Sequence, residues 1–198
     1  MRLRFLFLAL GLATGGHAAA APDCSYDEAA LMSLSPRAFN DDADRAGWRG
    51  LADREACIDA AADLLKNYRL RQMEGPLSSV LHHEAQLRAA TGQTEEAVEL
   101  LRRVLDIAED DASKAYHKAE IAFLEQDFGA LVAARDELLA VPMPEGFEQG
   151  VEEFKQTYPA YPPPVWPTNL NVVEGFIACF DEPYSVAYSE ACGPEAAE

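Results

Sequence analysis

The sequence predicts an all-α fold, a short stack of helical hairpins closed at each end by a helical element that a disulfide ties down. Three observations predict it. Apolar residues recur at three- and four-residue spacing through the middle of the chain. Ser78 to Asp111 can be laid on Ala112 to Glu145 without a gap. An even set of cysteines, Cys24, Cys57, Cys179 and Cys192, lies outside that duplicated centre.

Taken in order, a first helix is expected over Asp27 to Leu34. Ser25 would be its N-cap, with Asp27 and Glu28 in the first turn, where carboxylates meet the positive end of the helix dipole. Ser35-Pro36 ends that helix or begins the next element. Asn40, Asp41, Asp42 and Asp44 read as a solvated connection. Beyond it, Trp48, Leu51 and Ala52 form one apolar cluster, and Ile58, Ala61, Ala62, Leu65 and Tyr68 form another at helical spacing. Together they read as a helical hairpin, which Gly75-Pro76 breaks off.

The next stretch is duplicated at a shift of 34 residues. Identities fall at Ser79 and Ser113, His83 and His117, Ala85 and Ala119, Val98 and Val132, and Leu105 and Leu139. Leu87 and Ile121 match conservatively, as do Val104 and Leu138. Most of these positions must be apolar or small for two helices to pack closely. Within the first copy, Ala85 provides a small contact, Gly92 a turn, and Ala97 followed by Leu101 a small-then-large pattern. The second copy has Gln126 at the turn and Leu131 in place of the small residue, and Pro142 and Pro144 close it. The earlier hairpin repeats the small-then-large element as Ala61 and Leu65.

This pattern resembles the tetratricopeptide repeat, whose period is 34 residues and whose unit is one helical hairpin stacked on its neighbours. The resemblance covers roughly residues 45 to 145 and implies a right-handed α-α hairpin solenoid. It also implies a concave face lined by first-helix positions: Ser79, His82, Gln86 and Ala89 in one unit, and Ser113, Tyr116, Glu120 and Phe123 in the next. Their spacing puts each set on one helix face. Hydroxyl, imidazole, amide, carboxylate and aromatic groups together suit an extended peptide. The run G-W-R-G-L-A, then A-A-D-L-L, then N-L-N-V-V-E-G-F-I-A-C-F is also similar to exported bacterial proteins without an assigned activity.

After this centre a short helix is expected over Glu148 to Thr157. Tyr158 to Pro167 is too rich in proline for a helix and reads as polyproline II, a strap of residues 158–168. Tyr161 and Trp166 would either dock a partner or fold back on the protein's own helices. Two short helices are expected over Val172 to Phe180 and Pro183 to Ala191, with Pro183 at a first helical position and Gly193 terminating the second. They belong to a terminal cap, residues 169–198, following a helical domain of residues 21–157.

The chain begins with Arg2 and Arg4, an apolar run from Phe5 to Ala13, and small residues ending in Ala18 to Ala21. This order is that of a secretory signal peptide, residues 1–20, cleaved after Ala20; the apolar run is too short to span a bilayer. Cys24 lacks the aliphatic and small residues of a lipobox before it. Export to the periplasm or outside the cell makes disulfides the expected state of the cysteines. Three pairings are possible; an elongated helical stack holds its ends far apart and so favours Cys24 with Cys57 and Cys179 with Cys192. With no C-x-x-C motif, a thiol catalyst or zinc site at the cysteines is disfavoured.

The formal net charge is −18, and becomes −20 without the two signal arginines, 14 basic against 34 acidic side chains. Such a chain is repelled by nucleic acid and anionic lipid, which are excluded as partners. Insertion of the mature chain in a membrane is not expected either. No G-x-S-x-G, phosphate-cradling or dinucleotide motif occurs, so no enzyme and no cofactor are expected. Ser78, Ser79 and Ser113 stand near helix starts, where capping explains them. The leading expectation is a non-catalytic exported module that binds a peptide or protein segment in its groove. The first alternative is a periplasmic enzyme or metal-handling protein using His82, His83 and His117, with Glu84 and Glu120 as further ligands. The second is a purely structural, self-assembling protein.

Overall fold

A computed structural model describes residues 22–71, 77–159 and 162–193. The expected signal peptide, the Gly75-Pro76 break, Tyr161 and the last residues of the cap lie outside the described residues. Among the described residues there are eleven α-helices and no strand. No helix among them is long and apolar enough to cross a membrane.

The short helices α1 (Glu28–Met32), α2 (Pro36–Asp41) and α3 (Trp48–Ala52) come first. A 3-10 turn, Glu55–Cys57, then leads into α4 (Ile58–Arg71). The centre is α5 (Ser78–Ala90), α6 (Thr94–Ile107), α7 (Asp111–Leu124) and α8 (Phe128–Ala140). After α9 (Phe147–Thr157) come α10 (Leu170–Ala178), α11 (Tyr184–Ala187) and a last 3-10 turn, Glu190–Cys192. From α3 to α8 each helix packs on the next; α10 lies against α7 and α8, and α11 reaches back to α5.

The N-terminal elements differ from the sequence expectation in their caps. The Asp27 carboxylate, not Ser25, accepts the free amide of Ala30 (3.0 Å), so α1 starts at Glu28 and ends at Met32. Ser35 begins the next element: its hydroxyl caps α2 at Ala38 N, and Pro36 takes the first helical position. The acidic stretch is therefore not all connection, since Asn40 and Asp41 are helical and Phe39 between them and α1 is buried. Phe39 stacks on Tyr68 of α4 with ring centroids 3.6 Å apart, and the Tyr68 hydroxyl donates to Leu34 O (2.7 Å). Asp42 closes α2 in a left-handed conformation while its carboxylate accepts the amides of Gly47 (2.9 Å) and Arg49 (2.7 Å), which starts α3. Leu31, Phe39, Trp48, Leu51, Leu65 and Tyr68 thus form one apolar cluster.

The α5–α6 and α7–α8 hairpins make a second cluster, and their two turns share a backbone feature. Gly92 and Gln126, 34 residues apart, both take positive φ, +78° and +58°. Gln126 tolerates what glycine adopts freely because its amide donates to Phe123 O (3.0 Å). At the small-then-large position, Ala97 and Leu131 are both buried completely despite their different size.

The C-terminal segment closes this second cluster. Gly175 on α10 allows the close approach: a Cβ there would lie 2.8 Å from Ala187 O of α11. Pro183 stands just before α11 as its cap rather than inside it, because its ψ of 149° is extended. In the strap, the Trp166 indole donates to Val141 O (3.2 Å) and meets the Phe147 ring edge-on at 5.2 Å, so this aromatic folds back on its own chain. Both cysteine pairs are the expected ones, Cys24–Cys57 with Cα atoms 5.5 Å apart and Cys179–Cys192 at 5.9 Å.

Candidate functional site

The most organised polar site lies where α5, α7 and α11 meet. His82 on α5 and His117 on α7 both direct a ring nitrogen at one oxygen of Glu120: His82 Nε2 donates to Oε2 at 2.8 Å and His117 Nδ1 at 3.0 Å. His117 and Glu120 share a face of α7 because they are three residues apart. The other oxygen, Oε1, accepts the hydroxyls of Tyr184 (3.0 Å) and Tyr116 (3.3 Å) and the amide of Gln86 (3.4 Å). Glu120 is 0% exposed, so these five donors stand in for water. Burial pushes its carboxyl up, but attraction to His82 and the hydrogen bonds from His117 and His82 outweigh that and hold it down at about 2.

The tyrosines around it respond in the opposite sense. Burial, then the Glu120 charge, raises Tyr116 and Tyr184 well above the ordinary tyrosine value, which keeps both hydroxyls as donors. Gln86 links the set outward: its amide also donates to Tyr188 OH (3.0 Å), and its carbonyl accepts His83 Nδ1 (3.1 Å).

His83 does not join His117. It stacks on Trp48 of α3, ring centroids 4.7 Å apart, while His117 meets His82 edge-on at 4.6 Å. Burial, and then the neighbouring His82, lower His83 to about 4. The two contacts are equivalent under the 34-residue shift, since Trp48 and His82 are themselves 34 apart. Each repeat histidine therefore faces the helix one unit back. Glu84, an expected further ligand, is held elsewhere: Arg69 Nε and Nη2 clamp its two oxygens at 2.7 and 3.0 Å.

Beside this network a cleft of about 710 Å³ opens to solvent. The start of α5 supplies Ser79 and His82, and α7 supplies Ser113, Tyr116 and His117. Glu109 and Asp110 from the α6–α7 loop and the exposed Ile107 form another wall. A second cavity, about 370 Å³ between α6, α7 and α8, has its charged rim already paired, Arg102 with Glu125 and Lys118 with Glu137.

The expected groove residues thus divide. Ser79, His82, Ser113 and Tyr116 line the open cleft. Gln86 and Glu120 belong to the network behind it, and Ala89 and Phe123 lie in the core, Phe123 under Phe176 and Tyr184. Sequence reasoning missed Tyr184, Tyr188 and the acidic loop wall. Tyr184 stands 64 residues from its partner Glu120, and no periodicity links them.

Comparison with known proteins adds no relative: no protein-family model, no curated protein and no solved structure matches this chain.

Proposed function

We propose that this chain is a non-catalytic, exported binding module, a short right-handed tetratricopeptide-like stack that takes a cationic peptide or protein segment in the cleft between α5 and α7. The observation that carries the reading is the cleft itself: four first-helix residues singled out by the repeat, Ser79, His82, Ser113 and Tyr116, line one solvent-open space. The repeated turn geometry at Gly92 and Gln126 and the equivalent contacts of His83 and His117 support a stack that advances by one unit every 34 residues. Two disulfides are consistent with an oxidising location outside the cytoplasm.

The partner's charge follows from the wall and from the whole chain. Glu109 and Asp110 face the cleft, and the net charge, −20 once the two signal arginines are gone, draws cations towards it. Hydroxyls of Ser79 and Ser113 suit backbone or ammonium groups, and Ile107 offers an apolar contact. Only the mouth of the groove serves, because α10 and α11 fill its far end over Phe123.

Selection of a displayed random peptide library on the immobilised protein tests this. Enrichment of Lys- and Arg-bearing segments that no longer bind a Ser79→Arg/Ser113→Arg double variant is the expected result. Enrichment that survives the double variant places binding elsewhere.

A further inference from the structure

Two imidazole nitrogens converging on one carboxylate oxygen is an arrangement that protons alone do not require. His82, His117 and Glu120 each offer one ligand atom, and these three atoms lie within 4.8 Å of one another. The two nitrogens stand 2.8 and 3.0 Å from Oε2. A tetrahedral zinc ion bound at about 2.0–2.1 Å to each ligand holds neighbouring ligand atoms about 3.3 Å apart. The two nitrogen-to-oxygen edges need widen by only a few tenths of an ångström to match one face of a metal site, and the edge between the nitrogens, bounded at 4.8 Å, settles towards the same length.

The surroundings meet the further requirements of such a site. Glu120 offers Oε2 alone, because Tyr184, Tyr116 and Gln86 hold Oε1, which fixes the carboxylate as a one-oxygen ligand. His82 and His117 come from different helices, so the ligands span two hairpins rather than one flexible turn. Both histidines line the open cleft, which supplies an entry path and a fourth position for water or a ligand group.

We propose that His82, His117 and Glu120 bind one divalent late first-row transition-metal ion, with zinc as the probe ion. Each metal-bound imidazole then carries its one proton on the other ring nitrogen, Nδ1 of His82 and Nε2 of His117. His83 and Glu84, which sequence alone grouped with these ligands, take no part: one is stacked on Trp48 and the other is clamped by Arg69. The three-ligand set leaves the metal accessible from the cleft, the pattern of an ion that engages a further ligand rather than one sealed for structure.

The experiment uses untagged protein stripped with chelator, loaded with zinc and freed of excess by gel filtration. Elemental analysis is expected to give one zinc per chain in the wild type and in His83→Ala, and at least a tenfold lower content in His82→Ala/His117→Ala. A wild type that retains no zinc at micromolar free ion, or a double variant with unchanged content, overturns the proposal. Because the double variant disturbs a buried network, nitrogen NMR of histidine-labelled wild-type protein supplies a reading without substitution. Zinc is expected to shift Nε2 of His82 and Nδ1 of His117 and to leave His83 in place; a shift confined to His83, or none, overturns the proposal equally.

Discussion

Phe123 of α7 and Phe176 of α10 stack with ring centroids 4.7 Å apart, although 53 residues separate them in the chain. Tyr184 and Phe180 close around the same Phe123 ring, at 6.1 Å each. This cluster fastens the C-terminal cap to α7.

Truncating the centre of that cluster is expected to leave a cavity that the surrounding rings cannot collapse into. Phe123→Ala should therefore cost about 3–5 kcal/mol of folding stability. Urea unfolding followed by circular dichroism measures it. A loss below about 1 kcal/mol would mean the cap packs loosely.

Arg69 and Glu84 make a buried two-pronged ion pair, with Glu84 0% exposed. Removing the cation alone leaves the carboxylate buried without its counter-charge, so Arg69→Met should cost about 3–5 kcal/mol. Replacing both partners by apolar residues, Arg69→Met with Glu84→Leu, should cost much less. A double-mutant cycle from denaturant unfolding reads the coupling; additive losses would contradict the assigned pairing.

At the first repeat turn Gly92 has φ +78°, and an added Cβ would meet nothing within 4 Å. The whole penalty of Gly92→Ala is then conformational, about 1–2 kcal/mol, with no change in contacts. Thermal unfolding checks it. Equal stability would place this turn in another conformation.

Much of this centre was legible beforehand, and for a physical reason. Helices α4 to α8 carry their apolar residues at helical spacing, and Gly92 marks its turn locally; the caps differ from the sequence expectation, since Asp110 and not Ser113 caps α7, and neither Ser78 nor Ser79 caps α5. The cysteine pairs are the ones favoured on the expectation that the chain ends stand far apart. What stayed hidden depends on distant partners. Phe39 sits among acids that dominate its window, and its burial depends on stacking against the distant Tyr68. Repeat equivalence drew attention to His83 with His117, but equivalent residues look in the same direction along a stack. The ring that meets His117 is therefore the neighbour one position earlier, His82, in the place that Trp48 holds for His83.

Glu120 also predicts an acid dependence for metal-free protein. In the fold its carboxyl lies at about 2, against an ordinary value of 4.5 for the unfolded chain. The folded state therefore binds fewer protons between these values, and the stabilisation, complete above pH 4.5, is lost as pH falls towards 2. Unfolding free energies measured in chelator across that window should fall less steeply in Glu120→Gln than in wild type. Parallel pH profiles would contradict the assignment.

Titration of a library-selected cationic peptide, followed by fluorescence anisotropy, bears most directly on the claim that the open cleft is a binding site. The affinity should fall at least tenfold in Ser79→Arg/Ser113→Arg and weaken with added salt, as opposite charges at an exposed rim require. Equal affinity in wild type and double variant, with both unfolding at the same denaturant concentration, would contradict it.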